Sequence, residues 1–121
     1  MNSTELKSRT KSFAIKIVRL AQTLPNNRVG WTFSSQIVRS GTSIAANYRA
    51  VCRAKSDRDF ASKLDIVLEE ADETLFWLEM IEELSLVPEE KSVIQLKSEA
   101  NELVSIFAAS VKTAKQRLNK R

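Results

Sequence analysis

Apolar residues return every three or four positions along nearly the whole chain, with only three short interruptions. That is the period of helices buried along one face. Over 4–24, Leu6, Phe13, Ile17, Leu20 and Leu24 share a face, with Ala14 and Ala21 beside them. Pro25-Asn26-Asn27 ends this helix, and Gly30 marks a break before the second. Over 31–54 the stripe is Phe33, Ile37, Gly41, Ile44, Tyr48 and Val51. Ser56 is a good N-cap candidate for a third helix over 57–84, with Asp57 and Asp59 suiting the helix dipole in its first turn. Its core stripe is Phe60, Leu64, Val67, Leu68, Ala71, Leu75 and Leu78. Leu86-Val87-Pro88 makes the last turn, with Pro88 suited to the first position of a helix over 88–118. There Val93, Leu96, Ala100, Leu103, Phe107, Val111, Ala114 and Leu118 form a heptad-like seam. Short links between long helices predict one domain over 1–121, an all-α, antiparallel up-down-up-down four-helix bundle.

Two features of this pattern are unusual. The second helix carries Ser40-Gly41-Thr42-Ser43, all poor helix formers, at its centre. Gly41 lies on the apolar stripe, and Gln36, Ser40, Ser43 and Asn47 form a polar stripe beside it. Small residues on a contact face let another helix backbone come close, at about 1 kcal/mol for Gly against Ala. The competing reading is that the hydroxyls merely face water. The third helix has a second apolar set, Ile66, Trp77, Met80 and Leu84, with Phe76 nearby. At 100° per residue these four fall within about 60° of one another, opposite the first stripe. A helix in a small bundle has one apolar side too many if both are apolar. The second side either packs under a loop or meets another subunit, and four large side chains favour the subunit.

Composition removes most chemistry. The 121 residues include two Gly and two Pro, too little turn chemistry for a many-stranded fold. Cys52 is alone, so no internal disulfide forms, and it is expected in or near the core. There is no His, which excludes Ser-His and Cys-His nucleophiles and every His-containing metal site. The acids of "LEEADETLFWLE" spread around the third helix rather than converge, so no metal site is expected there. Ser43 and Asn47 lie one turn apart without a base to activate the serine, and read as packing and hydrogen-bonding residues. No phosphate-binding or nucleophile-elbow motif occurs. No catalytic residue, metal, cofactor or small-molecule substrate is expected. The polar start "MNSTELKSRTKSF" has no signal-peptide core, and no apolar run reaches membrane-spanning length, so a cytoplasmic protein without a membrane partner is expected.

Charge is polarised. Residues 1–55 hold ten Lys/Arg against one acid, 56–110 four against fourteen, and 111–121 five against none. Either the basic early helices lie beside the acidic third helix, or a basic face meets nucleic acid. In the second case Arg39, Arg49 and Arg53, within one outer arc of the second helix, join Lys112, Lys115, Arg117, Lys120 and Arg121 as candidate RNA or DNA contacts. Cations at a helix C-terminus are also favourable without any ligand.

"SSQIVRSGTSIAANYRA" resembles the second-helix motif of the small four-helix-bundle proteins encoded by intervening sequences within bacterial 23S ribosomal RNA genes. Gln36, Arg39, Ser40, Gly41, Ser43, Ile44 and Asn47 carry the likeness. "DFASKLDIVLEEADETLFWLEMIEEL" is similar to that family's third helix through Phe60, Lys63, Leu64, Glu70, Ala71, Glu73, Trp77, Leu78 and Glu79. The resemblance spans essentially the whole chain. It implies a bundle that assembles as a homopentameric barrel with no assigned enzymatic activity, so that the first partner is another copy of the chain. Some members read Asn-Ile-Ala-Glu-Gly where this chain has Asn47-Tyr48-Arg49-Ala50, a departure that adds a positive charge. A related branch, the accessory proteins of diversity-generating retroelements, binds nucleic acid and a reverse transcriptase. Its members are strongly basic, and the acidic third helix here makes this chain look less like them.

Overall fold

Three of the four helix starts are fixed by a side-chain oxygen. Asn2 accepts the Glu5 amide at 2.8 Å, Asn27 the Gly30 amide at 2.9 Å, and Ser56 the Asp59 amide at 3.0 Å. Each bond satisfies a donor that the first helical turn would otherwise leave unpaired. The computed structural model describes residues 1–120, and in them the helices are α1 (Ser3–Ala21), α2 (Arg28–Val51), α3 (Asp57–Glu83) and α4 (Glu90–Asn119), with no strand.

The ends differ from expectation for identifiable reasons. With Asn27 as cap, α2 begins before Gly30, which lies inside the first turn rather than at a break. Its glycine identity reflects a close approach: a Cβ there would stand 1.7 Å from the Pro25 carbonyl oxygen. Pro88 lies outside α4, whose cap, Glu89, makes no side-chain bond. The α3–α4 turn is set by a Schellman closure. The Leu86 amide donates to the Ile81 carbonyl at 3.1 Å and the Ser85 amide to the Glu82 carbonyl at 3.0 Å. Ser85 takes the left-handed position with φ 51°, where glycine is the usual choice.

Consecutive helices pack along their lengths, α1 on α2, α2 on α3 and α3 on α4. The fourth edge is different: α1 and α4 meet sparsely, and the backbones of α1 and α3 do not approach. The core between them is led by Phe13, Ile17, Ile37, Ile44, Leu64, Leu78, Leu103 and Phe107. On α3 the buried residues are Ala61, Leu64, Val67, Ala71, Thr74, Leu78 and Ile81. Phe60, Leu68 and Leu75, expected in that stripe, are half-buried at its margins, as are Leu24 and Leu118. Thr10, fully buried on α1, was hidden from a hydropathy pattern. Its hydroxyl donates to the Leu6 carbonyl at 2.8 Å, so it brings no unpaired donor inside. Cys52 corrects an expectation outright. It is the exposed C-cap of α2, not a core residue.

Gly41 is buried where α2 crosses α1, and a Cβ there would lie 2.7 Å from Ile17 Cγ2. The glycine is therefore a matter of helix approach, and helix propensity gives way to it.

Candidate functional site

The polar stripe of α2 faces α3, and its members do different jobs. Ser40 is fully buried with its Oγ 2.9 Å from Thr74 Oγ1. Thr74 also donates to the Glu70 carbonyl at 2.8 Å. The Thr74 hydroxyl is thus shared between Ser40 Oγ and the Glu70 carbonyl, and the Ser40 hydroxyl donates to the Ile37 carbonyl at 3.4 Å. Both hydroxyls are thereby satisfied in a dry seam. Asn47 Nδ2 donates to the Ser43 carbonyl at 2.9 Å, within α2. Gln36 and Ser43 are half-buried, and Ile44 is wholly inside. No group here could act as a nucleophile with its base, and no cluster of His, Cys, Asp or Glu able to hold a metal occurs among the described residues.

Arg39 bridges the same seam from outside. Its guanidinium binds Glu70 at 3.2 Å and also Glu73. Glu73 in turn accepts from Trp77 Nε1 at 3.0 Å. Arg39 thus spends its charge inside the protomer, and a phosphate would have to displace two carboxylates.

The second apolar set of α3 divides. Trp77 and Met80 are half-buried against the core, and the indole packs edge-on to Phe33 with centroids 5.4 Å apart. Ile66 and Leu84 stand out, 42% and 51% exposed, and Phe76 joins them at 48%. Spacing grouped Trp77 with the outward residues because it ignores the neighbour. The edge of α2 covers the indole, while Phe76 packs only edge-on to Trp77, with centroids 5.0 Å apart, and keeps its other side in water.

The basic residues also gather. The C-termini of α2 and α4 lie at one end of the bundle, where Arg117 borders the same shallow cavity as Tyr48, Val51, Cys52 and Lys55. Arg49, Arg53, Lys112, Arg117 and Lys120 are exposed there. Lys115 pairs with Asp65 at 3.3 Å. Arg121 lies outside the described residues. Beneath this end, burial pushes the Tyr48 phenol up to about 12, with the adjacent Cys52 thiol adding to the shift. Two helix C-termini concentrate carbonyl dipoles here, which favours cations and explains part of the cluster without a ligand.

Hydropathy missed a groove. Along the open α1–α4 edge runs a groove of about 970 Å³. Its floor is Phe13, Leu20 and Leu96, and Ser8, Ser12 and Ser92 line its walls. Arg9 straps it through two 2.7 Å bonds to Glu99, from Nε and Nη2. That contact holds the Glu99 carboxyl below its usual range and raises Arg9. The signal lay in Thr4, Ser8 and Ser12, small polar residues four apart down one side of α1.

A family model described as 23S rRNA-intervening sequence protein matches residues 3–109. Among solved structures, one similar chain is a protein of unknown function from the S23 ribosomal protein family of Bacteroides thetaiotaomicron. It is 35% identical, the match covers 88% of this chain and 97% of that one, and the TM-score is 0.79. No curated protein matches. Neither the family description nor the neighbour's names an enzymatic activity. No helix among the described residues is long and apolar enough to cross a membrane.

Proposed function

The chain belongs to the 23S rRNA-intervening sequence protein family, and from that premise we propose that it is a non-enzymatic, self-assembling bundle whose basic end binds RNA or DNA phosphates. The observation that carries self-assembly is the bare apolar surface of α3. Ile66, Phe76 and Leu84 are exposed on a helix whose opposite side is already core. Water contact at three large side chains on one surface is costly enough that a second protein surface is the natural cover. The family resemblance supports a ring of five. Nucleic-acid binding rests on the convergence of Arg49, Arg53, Lys112, Arg117 and Lys120 at one end, where they outnumber Asp57, Asp59 and Asp65 at the start of α3.

Fluorescence anisotropy with labelled single-stranded RNA and duplex DNA tests the binding half. Affinity falls steeply and log-linearly with salt as counterions are released. Arg53→Glu with Arg117→Glu weakens binding to all sequences alike. Absent or salt-insensitive binding to both polymers contradicts this half and leaves assembly as the whole role.

A further inference from the structure

Self-assembly as proposed above leaves open which surfaces meet, and the molecule carries two that match. One is the convex ridge of α3, with Phe76 and Leu84 at its C-terminal end and Ile66 about 15 Å below Phe76 at 1.5 Å per residue. The other is the concave α1–α4 groove, about 970 Å³ over Phe13, Leu20 and Leu96. We propose that the chain assembles head to tail, the α3 ridge of one copy seated in the α1–α4 groove of the next.

Three observations choose a second copy as the occupant. The first is height. A short turn joins the last residues of α3 to the first of α4, so Phe76 and Leu84 lie at the same end of the bundle as Leu96 and Ser92. Rotation about an axis parallel to the helices preserves height, so ridge and groove can meet around a ring. The second is charge. α1 holds five Lys/Arg and one acid, whereas α3 holds ten acids and two Lys/Arg. These helices are diagonal and do not approach within one chain. Asp59, Asp65, Glu70, Glu73 and Glu82 of α3 are bound by cations of their own chain, which leaves exposed Glu69, Asp72, Glu79 and Glu83 on α3 and exposed Lys16 and Arg19 on α1 to face a second copy. Head-to-tail contact sets the exposed α3 acids of one copy against Lys16 and Arg19 on the α1 wall of the next, in a groove that also carries Glu5, Glu89 and the Glu99 already bound to Arg9. The third is what the alternative would cost. A two-fold ridge-to-ridge contact would bring exposed Glu69, Glu79 and Glu83 against their own counterparts. A heterologous contact avoids this and either closes into a ring or runs on as a filament.

Mixing two assembly-dead variants tests this. Phe76→Glu spoils the ridge and keeps the groove, while Ser12→Trp plugs the groove and keeps the ridge. Sedimentation velocity should show each alone as one chain, and the equimolar mixture as a two-chain particle that grows no further. Circular dichroism checks folding, and Leu84→Glu with Lys16→Glu/Arg19→Glu is a second pair on exposed positions. If Ser12→Trp and Lys16→Glu/Arg19→Glu assemble like wild type, the groove is not the socket and the pairing of surfaces is wrong. The pairing is equally wrong if the mixture stays single-chain while wild type assembles. A small molecule filling the groove, seen as mass gained by the native single chain, also overturns it. A wild-type chain that is itself monomeric would instead overturn self-assembly.

Discussion

The two flanks of α1 use small residues to opposite ends. Toward α2, Gly41 removes a Cβ and Ile17 fills the space, so two helices come into close contact. Toward α4, Ser8, Ser12 and Ser92 also remove bulk, but nothing from the same chain fills the space, and a groove remains. A small residue therefore does not by itself mean close packing. Whether the neighbour advances into the gap depends on where the connecting turns put it. α1 and α2 are joined directly, and α1 and α4 meet only because the bundle comes round.

The sharpest way to break this contrast is to enlarge a side chain on each flank. Gly41→Val places two methyls against buried Ile17. It should cost about 2–3 kcal/mol in denaturant unfolding, as overpacking of a closed core does. Unchanged stability would mean that the α1–α2 approach is not tight. Thr74→Val comes next. It removes the threonine hydroxyl from the buried pair, leaves Ser40 only its longer 3.4 Å bond to the Ile37 carbonyl, and should cost about 1 kcal/mol. Adding Ser40→Ala should restore part of that loss, and a double-mutant cycle reads the coupling.

The open flank should respond more weakly. Glu99→Gln removes the carboxylate that Arg9 binds across the groove. Because Arg9 lowers the Glu99 pKa, the wild-type advantage is present above the unfolded carboxyl's pKa and is lost as pH falls through the folded one. The variant should be about 1 kcal/mol less stable at neutral pH and indistinguishable in acid. A gap that persists in acid would show that the strap acts by packing. Smallest is Ser12→Leu, measured in the Phe76→Glu background so that assembly does not contribute. There the change should stay within about 0.5 kcal/mol, because the groove has room.

The four-helix architecture was legible in the sequence because helical period and short turns leave few alternatives. On α2 the stripe from Phe33 to Val51 is buried as its spacing implied. Neighbours decided what spacing could not. Trp77 and Phe76 are adjacent, yet only the α2 edge determines which ring is covered. Thr10 and Thr74 entered the core because a carbonyl or a facing hydroxyl satisfied them, a condition invisible to hydropathy. Cys52 is exposed because α2 ends there, and the position of a helix end is the weakest inference from periodicity. The basic end follows from the topology, since an up-down-up-down bundle runs α2 and α4 parallel and brings their C-termini together.

Equilibrium sedimentation of the unmodified chain across a wide dilution series puts self-association to the most immediate trial. The expected result is a particle with the mass of five chains that dissociates on dilution or on Phe76→Glu substitution. A particle of one chain's mass at every concentration, with Phe76 and Leu84 left in water, would contradict it.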